Sequence, residues 1–260
     1  MKPEISVIMC VYKPKIEYLS RALNSYSEQT YKNFSELIFV IDDKWTQEYI
    51  SYTIIGSAED PPAKIIKIPS TPNNITANLY MSNVISSSNP PMNVGLTRAL
   101  NVGISYAQGK YICKLDDDNW YEPEKLQKQF IFMENNPEID LCYTDFIFHD
   151  ETKNPPVELS TICPEANYDI LKSMNYICHD SIMFRKDRFA KIGFYDETYK
   201  RCQDYELYLR ALSKGFKFAR LPGFLTHYRF HKNCLTNRHA KEGEKYRDLI
   251  QEKYSGQIIK

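Results

Sequence analysis

Apolar residues along this chain follow two rhythms. Short unbroken runs, "ISVIMCVY" at 5–12, "ELIFVIDD" at 36–43, "AKIIKIP" at 63–69 and "KYICKLDDD" at 110–118, are rich in β-branched residues and lack polar alternation. That is the pattern of strands covered on both faces. Between the runs, Ile16, Leu19, Leu23 and Tyr26 recur at helical spacing. "GLTRALNVGISYAQG" at 95–109 puts Leu96, Leu100, Ile104 and Ala107 on one helical face, with Gly109 placed to cap its end. A helix over 122–134 follows the fourth run, with Pro123 in its first turn and Leu126, Phe130 and Met133 turned inward. Strands alternating with helices predict an α/β fold built on a mainly parallel central sheet.

Two stretches depart from this rhythm. Residues 69–94, rich in Asn, Ser and Pro, read as a long loop or a poorly ordered excursion. After residue 138, "IDLCYTDFIFHD", "DSIMFRK" and "FKFARLP" read as strands and "QDYELYLRALSKG" (203–215) as a helix. A charged helix, "AKEGEKYRDLIQEKYSG", lies near the C-terminus, and no internal repeat is visible.

Composition narrows the function classes. Lys plus Arg and Asp plus Glu both number 33 in a chain of 260 residues, which argues against a nucleic-acid partner, since that needs a basic surface. No apolar run approaches the roughly 20 residues needed to span a bilayer, and "MKPEISVIMCVY" lacks a signal-peptide layout. Seven scattered cysteines with no CxxC pair suit reduced thiols and a cytoplasmic location better than a disulfide framework or a zinc site. The 20 Tyr and 13 Phe read first as an aromatic core and second as stacking surfaces for bases or sugars.

Ligands of a parallel α/β sheet bind beyond the carboxyl ends of its strands. Two such ends carry acids here, Asp42–Asp43 and Asp116–Asp117–Asp118. One acid after a strand is often a helix N-cap, but a triplet of like charges invites a divalent cation, and Mg²⁺ or Mn²⁺ held by one or two carboxylates can grip a diphosphate. A calcium loop does not fit: counting from Asp116, Trp120 takes position 5, Tyr121 the glycine position and Gln127 the final glutamate position. Asp204, near the start of the 203–215 helix, reads either as a favourably placed cap or as a functional acid. "HYRFH" (227–231) ends a late strand with two histidines and an arginine at alternating positions, either structural or ligating.

Taken in order, "ISVIMCVYKP", "ELIFVIDD", "NVGLTRALNVGISYAQGKYICKLDDDNWYEPEKL" and "QDYELYLRALSKGFKFARLPGFLTHYRFH" resemble family 2 glycosyltransferases, over residues 5 to about 236. The resemblance implies a GT-A, Rossmann-like sheet flanked by helices with a smaller acceptor-side C-terminal part. Residues 1–236 would form the transferase domain, 1–118 its nucleotide-sugar half and 119–236 its acceptor and catalytic half, with 237–260 a helical tail. It implies an inverting transfer from a nucleotide diphosphate sugar, with UDP-sugars favoured, to a hydroxyl of a glycan or lipid-linked saccharide. The setting implied is polysaccharide biosynthesis, in the cytoplasm or peripherally at the inner face of the plasma membrane.

Residue by residue, the resemblance puts Tyr12 against the base and Asp43, with or without Asp42, on the base or ribose. Gly95, Arg98 and Asn101 line the nucleotide-facing helix. Asp118 becomes a ligand of Mn²⁺ or Mg²⁺, with Asp116 or Asp117 reaching the ribose, Asp116 also able to join the cation, and His231 near the metal or diphosphate. Asp204 fills the position of the catalytic base; His179, Asp180 and Arg229 fall on the acceptor side. Two departures stand out. Gln203 occupies the place of the Glu that normally precedes the base, and Lys44–Trp45 replace the usual Gly–Ser after the strand-2 acids. The competing readings are a metal-dependent nucleotidyltransferase, which would usually show a glycine-rich loop where this chain has "YKPKIEY", and a catalytically weak sugar-nucleotide or glycan-binding module, which Gln203 favours.

Overall fold

The computed structural model describes residues 2–31, 34–41, 63–67, 84–85 and 95–256. Its centre is one mixed sheet. Strands β1 (Ile5–Val11), β2 (Ser35–Ile41), β3 (Ala63–Lys67), β4 (Val84–Ile85) and β5 (Tyr111–Lys114) form a parallel half, with β1 between β2 and β5. Beyond β5 the pairing turns mixed, through β9 (Met183–Arg185), β7 (Leu141–Asp150), β10 (Phe218–Phe230) and the short β6 (Trp120–Tyr121); β8 (Val157–Thr161) pairs with β7. The predicted parallel α/β sheet is therefore present, joined to an antiparallel second half. Asp42 and Asp43, and the 69–94 excursion apart from β4, lie outside the described residues.

Strand β1 shows why its run is uniformly apolar. Ile5, Val7, Met9 and Val11 join a core with Leu19 and Ala22 of helix α1 (Ile16–Ser27) and Leu126 and Met133 of helix α3 (Lys125–Asn135). Ile8 faces the opposite core with Leu100 and Ile104 of helix α2 (Leu96–Tyr106). Both faces are covered, so polar alternation has no place in it.

Gly109 does not cap α2; Ala107 does. Gly109 is small because β1 lies against it: a Cβ there would sit 2.5 Å from the Ser6 nitrogen and 2.7 Å from the Ile5 carbonyl carbon. Its N–H donates to Ser6 Oγ at 2.8 Å, and Ser6 Oγ in turn donates to the buried Glu36 at 2.6 Å. Since backbone atoms cannot swing aside, Gly109→Ala should destabilise the fold by about 1–3 kcal/mol. A chemical denaturation midpoint indistinguishable from wild type would contradict this packing.

Helices α4 (Tyr168–Ser173), α5 (Lys186–Ile192), α6 (Gln203–Ser213), α7 (Leu235–Arg238) and α8 (Ala240–Ser255) follow. The last is docked rather than a tail apart. Ile250 and Tyr254 are buried, and Lys253 and the Tyr254 hydroxyl both reach the fully buried Glu206 of α6, at 3.0 and 2.9 Å. Arg210 completes the cluster with paired bonds to the same carboxylate. Among the described residues, no helix is long and apolar enough to cross a membrane.

Candidate active site

The acidic triplet lies where β5 ends, at the carboxyl edge of the parallel half. A tight turn carries the chain from Leu115, buried on β1 through a bond to the Ile8 carbonyl, to Trp120. Asp116, Asp117 and Asp118 are half-buried on this turn. His231, one residue past β10, places its Nε2 3.0 Å from Asp118 Oδ2, and its ring meets Tyr18 of α1 edge-on at 5.0 Å. Asp118 and His231, 113 residues apart in sequence, thus meet in the fold.

The charges are crowded. Asp116 is raised to about 7, by burial first and by Asp180 and Asp118 nearby, against the opposing Lys114. Asp117 is held well above the ordinary carboxylate range by burial and by its two neighbours. Lys114 is buried between Asp116 and Asp180; burial alone would lower its pKa, but the two carboxylates hold it well above normal. Carboxylates raised in this way cluster at functional sites and also occur in structural ion networks.

The donor set fits a hard divalent cation. Adjacent donors around an octahedral ion with bonds of about 2.1 Å stand about 3 Å apart, which matches the Asp118–His231 separation. The carboxylate suits Mg²⁺ or Mn²⁺, whereas an imidazole is more usual at Zn, Cu, Fe or Ni. Among the described residues no three His, Cys, Asp or Glu side chains form a complete cage, so phosphate and water would have to supply the remaining positions.

Asp204 is the second residue of α6. The helix N-cap is Cys202, in a left-handed conformation and making no side-chain cap, while the carboxylate of Asp204 accepts from backbone N–H groups of the first turn, its own and that of Tyr205. Its Oδ2 accepts from Asn175 Nδ2 at 3.0 Å. Burial raises its pKa, opposed by the Tyr205 N–H and by Lys114. Lys114, which contacts Asp116, thus acts on Asp204 as well. Tyr195 is influenced by both: burial raises its phenol pKa, with Lys114 opposing and Asp204 and Asp116 adding to the rise. Gln203, in the place of the usual Glu, is buried and adds no charge beside Asp204.

Other expected site residues have different tasks. Tyr12 is exposed just past the end of β1; Gly95 is the N-cap of α2 with φ +85°, and Arg98 is exposed on its first turn. Asn101, expected at the nucleotide, is committed elsewhere: its amide donates to the Tyr195 carbonyl at 2.9 Å and accepts the Tyr195 N–H at 3.0 Å. It clamps the 195–199 loop, as does Thr97 through the Tyr199 carbonyl at 2.7 Å. His179 Nε2 contacts the Tyr195 hydroxyl at 2.6 Å, and burial, then Lys114, holds its pKa well below normal, leaving a neutral ring.

Asp180 and Arg229 are not available to an acceptor. Asp180 is buried and fully hydrogen-bonded. Arg229 lies buried over the Tyr18 ring at 3.9 Å, with its Nε 2.9 Å from Glu151. His227 is likewise structural, between Glu122 at 2.6 Å and His149 at 2.9 Å and stacked on Trp120. Of the two histidines in "HYRFH", only His231 meets the triplet.

Comparison with known proteins bears on the family and the fold. The model of glycosyl transferase family 2 matches residues 88–193. An uncharacterized glycosyltransferase of Methanocaldococcus jannaschii is 30% identical over 234 residues, 88% of this chain and 71% of that one. The amylovoran biosynthesis glycosyltransferase AmsE of Erwinia amylovora is 27% identical over 234 residues, 90% of this chain and 79% of that one. Among solved structures, S. aureus TarS 1–349 in complex with UDP-GlcNAc superposes with a TM-score of 0.70 at 14% identity, over 99% of this chain and 68% of that one. The α/β architecture, with helices on both faces of a mixed sheet, is of the GT-A type. The chain belongs to glycosyl transferase family 2.

Proposed function

We propose that this protein moves a sugar from a UDP-sugar to a hydroxyl of a glycan or lipid-linked saccharide, with inversion, in polysaccharide biosynthesis. The observation that carries the reading is the Asp118–His231 pair, 3.0 Å apart, together with a half-buried carboxylate, Asp204, on which Lys114 acts. The UDP-GlcNAc complex of the TarS neighbour supports the donor class, and the naming of AmsE for amylovoran biosynthesis supports the setting.

Asp118 and His231 would hold Mn²⁺ or Mg²⁺ against the donor diphosphate. A cation bound there supplies positive charge where negative charge develops on the leaving phosphate. Asp204 takes the proton of the acceptor hydroxyl, a poor nucleophile until it is deprotonated. Asn175 keeps one carboxylate oxygen fixed, leaving the other for that proton. A single attack opposite the leaving group inverts the anomeric centre.

Tyr12 stacks on the base. Its loss should weaken UDP binding by about 1–3 kcal/mol, the range for one base–aromatic stack, whereas Tyr12→Phe should bind as wild type. Calorimetry checks both variants, and equal affinity of Tyr12→Ala and wild type would move the base elsewhere. Transfer itself is tested with a panel of nucleotide sugars and Mn²⁺, by release of UDP and by NMR of the product linkage. Retention of configuration, or no turnover with any donor, would reject the reading.

A further inference from the structure

Three carboxylates in succession need something to hold their turn in shape, and the structure puts that task on Asp180. This residue sits in a single 3₁₀ turn, His179–Ser181, and is 1% exposed. Its Oδ1 accepts from Lys114 Nζ at 2.6 Å. Its Oδ2 accepts from the Asp116 N–H at 3.0 Å and from Asn119 Nδ2 at 2.5 Å. Lys114 also contacts Asp116 Oδ2. One carboxylate therefore binds both ends of the acidic turn and the cation beneath it.

The anchorage extends to the second donor segment. Asn119, gripped by Asp180 through its nitrogen, accepts the Arg229 backbone N–H with its oxygen at 2.8 Å. Arg229 lies on β10, two residues before His231. A connected path, from Asp180 to Asn119 to the Arg229 backbone, thus spaces the strand that bears His231 from the turn that bears Asp118.

We propose that Asp180 is a positioning residue of the cation site, which sets the Asp118–His231 spacing and keeps Lys114 from being given wholly to Asp116. The proposal rests on the function read above. All three partners of Asp180 are donors, and an ionised carboxylate offers only acceptors. An asparagine puts its NH₂ against a donor in either orientation: against the Lys114 ammonium, or against the Asp116 N–H and Asn119. The shape is conserved and the bonding is not. Lys114, relieved of one partner, is then drawn fully to Asp116, and the turn loses both its anchor and part of its negative charge.

The test is UDP affinity with and without Mn²⁺, by calorimetry, for wild type and Asp180→Asn, alongside melting temperatures. Loss of an outer-sphere partner typically costs 10–100-fold in metal affinity, so the Mn²⁺-supported gain in UDP affinity should fall by about that factor. Affinity without Mn²⁺ should change far less, because the base contact proposed for Tyr12 does not run through this turn. A merely structural role predicts that both affinities fall together, and that outcome overturns the proposal, as does an unchanged Mn²⁺ effect in a folded variant. Should Asp180→Asn not fold, Asn119→Ala cuts the link to β10 while leaving the Lys114–Asp180 pair in place. It must show the same selective loss, and an undiminished Mn²⁺ effect in it overturns the proposal. A wild type that binds UDP equally with and without Mn²⁺ rejects instead the cation site itself, so the two failures are separate.

Discussion

Asp204→Asn should lower sugar transfer by about 10²–10⁴-fold, the usual loss when a general base is removed, while UDP affinity stays unchanged. The substitution keeps the shape of the side chain, and an amide oxygen can still accept from Asn175. What disappears is the ability to take a proton. The fold should barely respond, since Cys202 and not Asp204 occupies the N-cap. The charge lost from the first helical turn is worth about 0.3–1 kcal/mol. Direct pH profiles sharpen the test. Burial raises the Asp204 pKa, so the wild-type rate should fall as pH drops through that raised value and the base becomes protonated. The residual rate of Asp204→Asn should lack this acidic limb. A variant within a few-fold of wild type, at the same melting temperature, would remove Asp204 from the chemistry.

Much of this was legible in the sequence because it is local. Uniform apolar runs give the strands of the parallel half, and the acids that follow one of them mark the sheet edge where ligands bind. Lys114 and Asp180 left no such trace. They lie 66 positions apart, and neither breaks a periodic pattern; Asp180 beside His179 looks like an ordinary polar pair. Only the fold turns it inward. Strand β10 escaped in part for another reason. The apparent stop at Pro222–Gly223 is an irregularity, with register shifts between Leu221 and Phe224 and between Phe224 and Thr226, after which pairing with β7 resumes as far as Phe230. Bulges of this kind let a strand tolerate Pro and Gly, and here the continuation is what delivers His231. Asn101 misled in the opposite sense. Its place on a helix is right, yet its amide is spent on the backbone of Tyr195.

Asp118→Ala should abolish the Mn²⁺-dependent part of UDP binding, a loss of roughly 100-fold or more, since even outer-sphere changes cost 10–100-fold. His231→Ala should produce the same selective loss, because the two donors act on one ion. The stability of the two variants should differ. Asp118 adds repulsion to Asp116 and Asp117, both raised above the ordinary carboxylate range chiefly by burial. A carboxylate whose pKa is higher folded than unfolded makes its stabilising contribution below the unfolded value and loses it as pH rises through the folded one. Wild type without metal should therefore lose melting temperature as pH climbs through about 7, the value for Asp116. Asp118→Ala removes one of the lesser contributors to those raised values and should soften that decline only in part, whereas Mn²⁺ should flatten it in wild type but not in the variant. His231→Ala removes no carboxylate and should keep the decline. Melting curves from about pH 5.5 to about pH 8.5, with and without Mn²⁺, separate these cases within the range where the shifted groups titrate. A decline unaffected by Mn²⁺ in wild type, or flattened by Mn²⁺ as much in Asp118→Ala, would mean that the three aspartates do not share a cation.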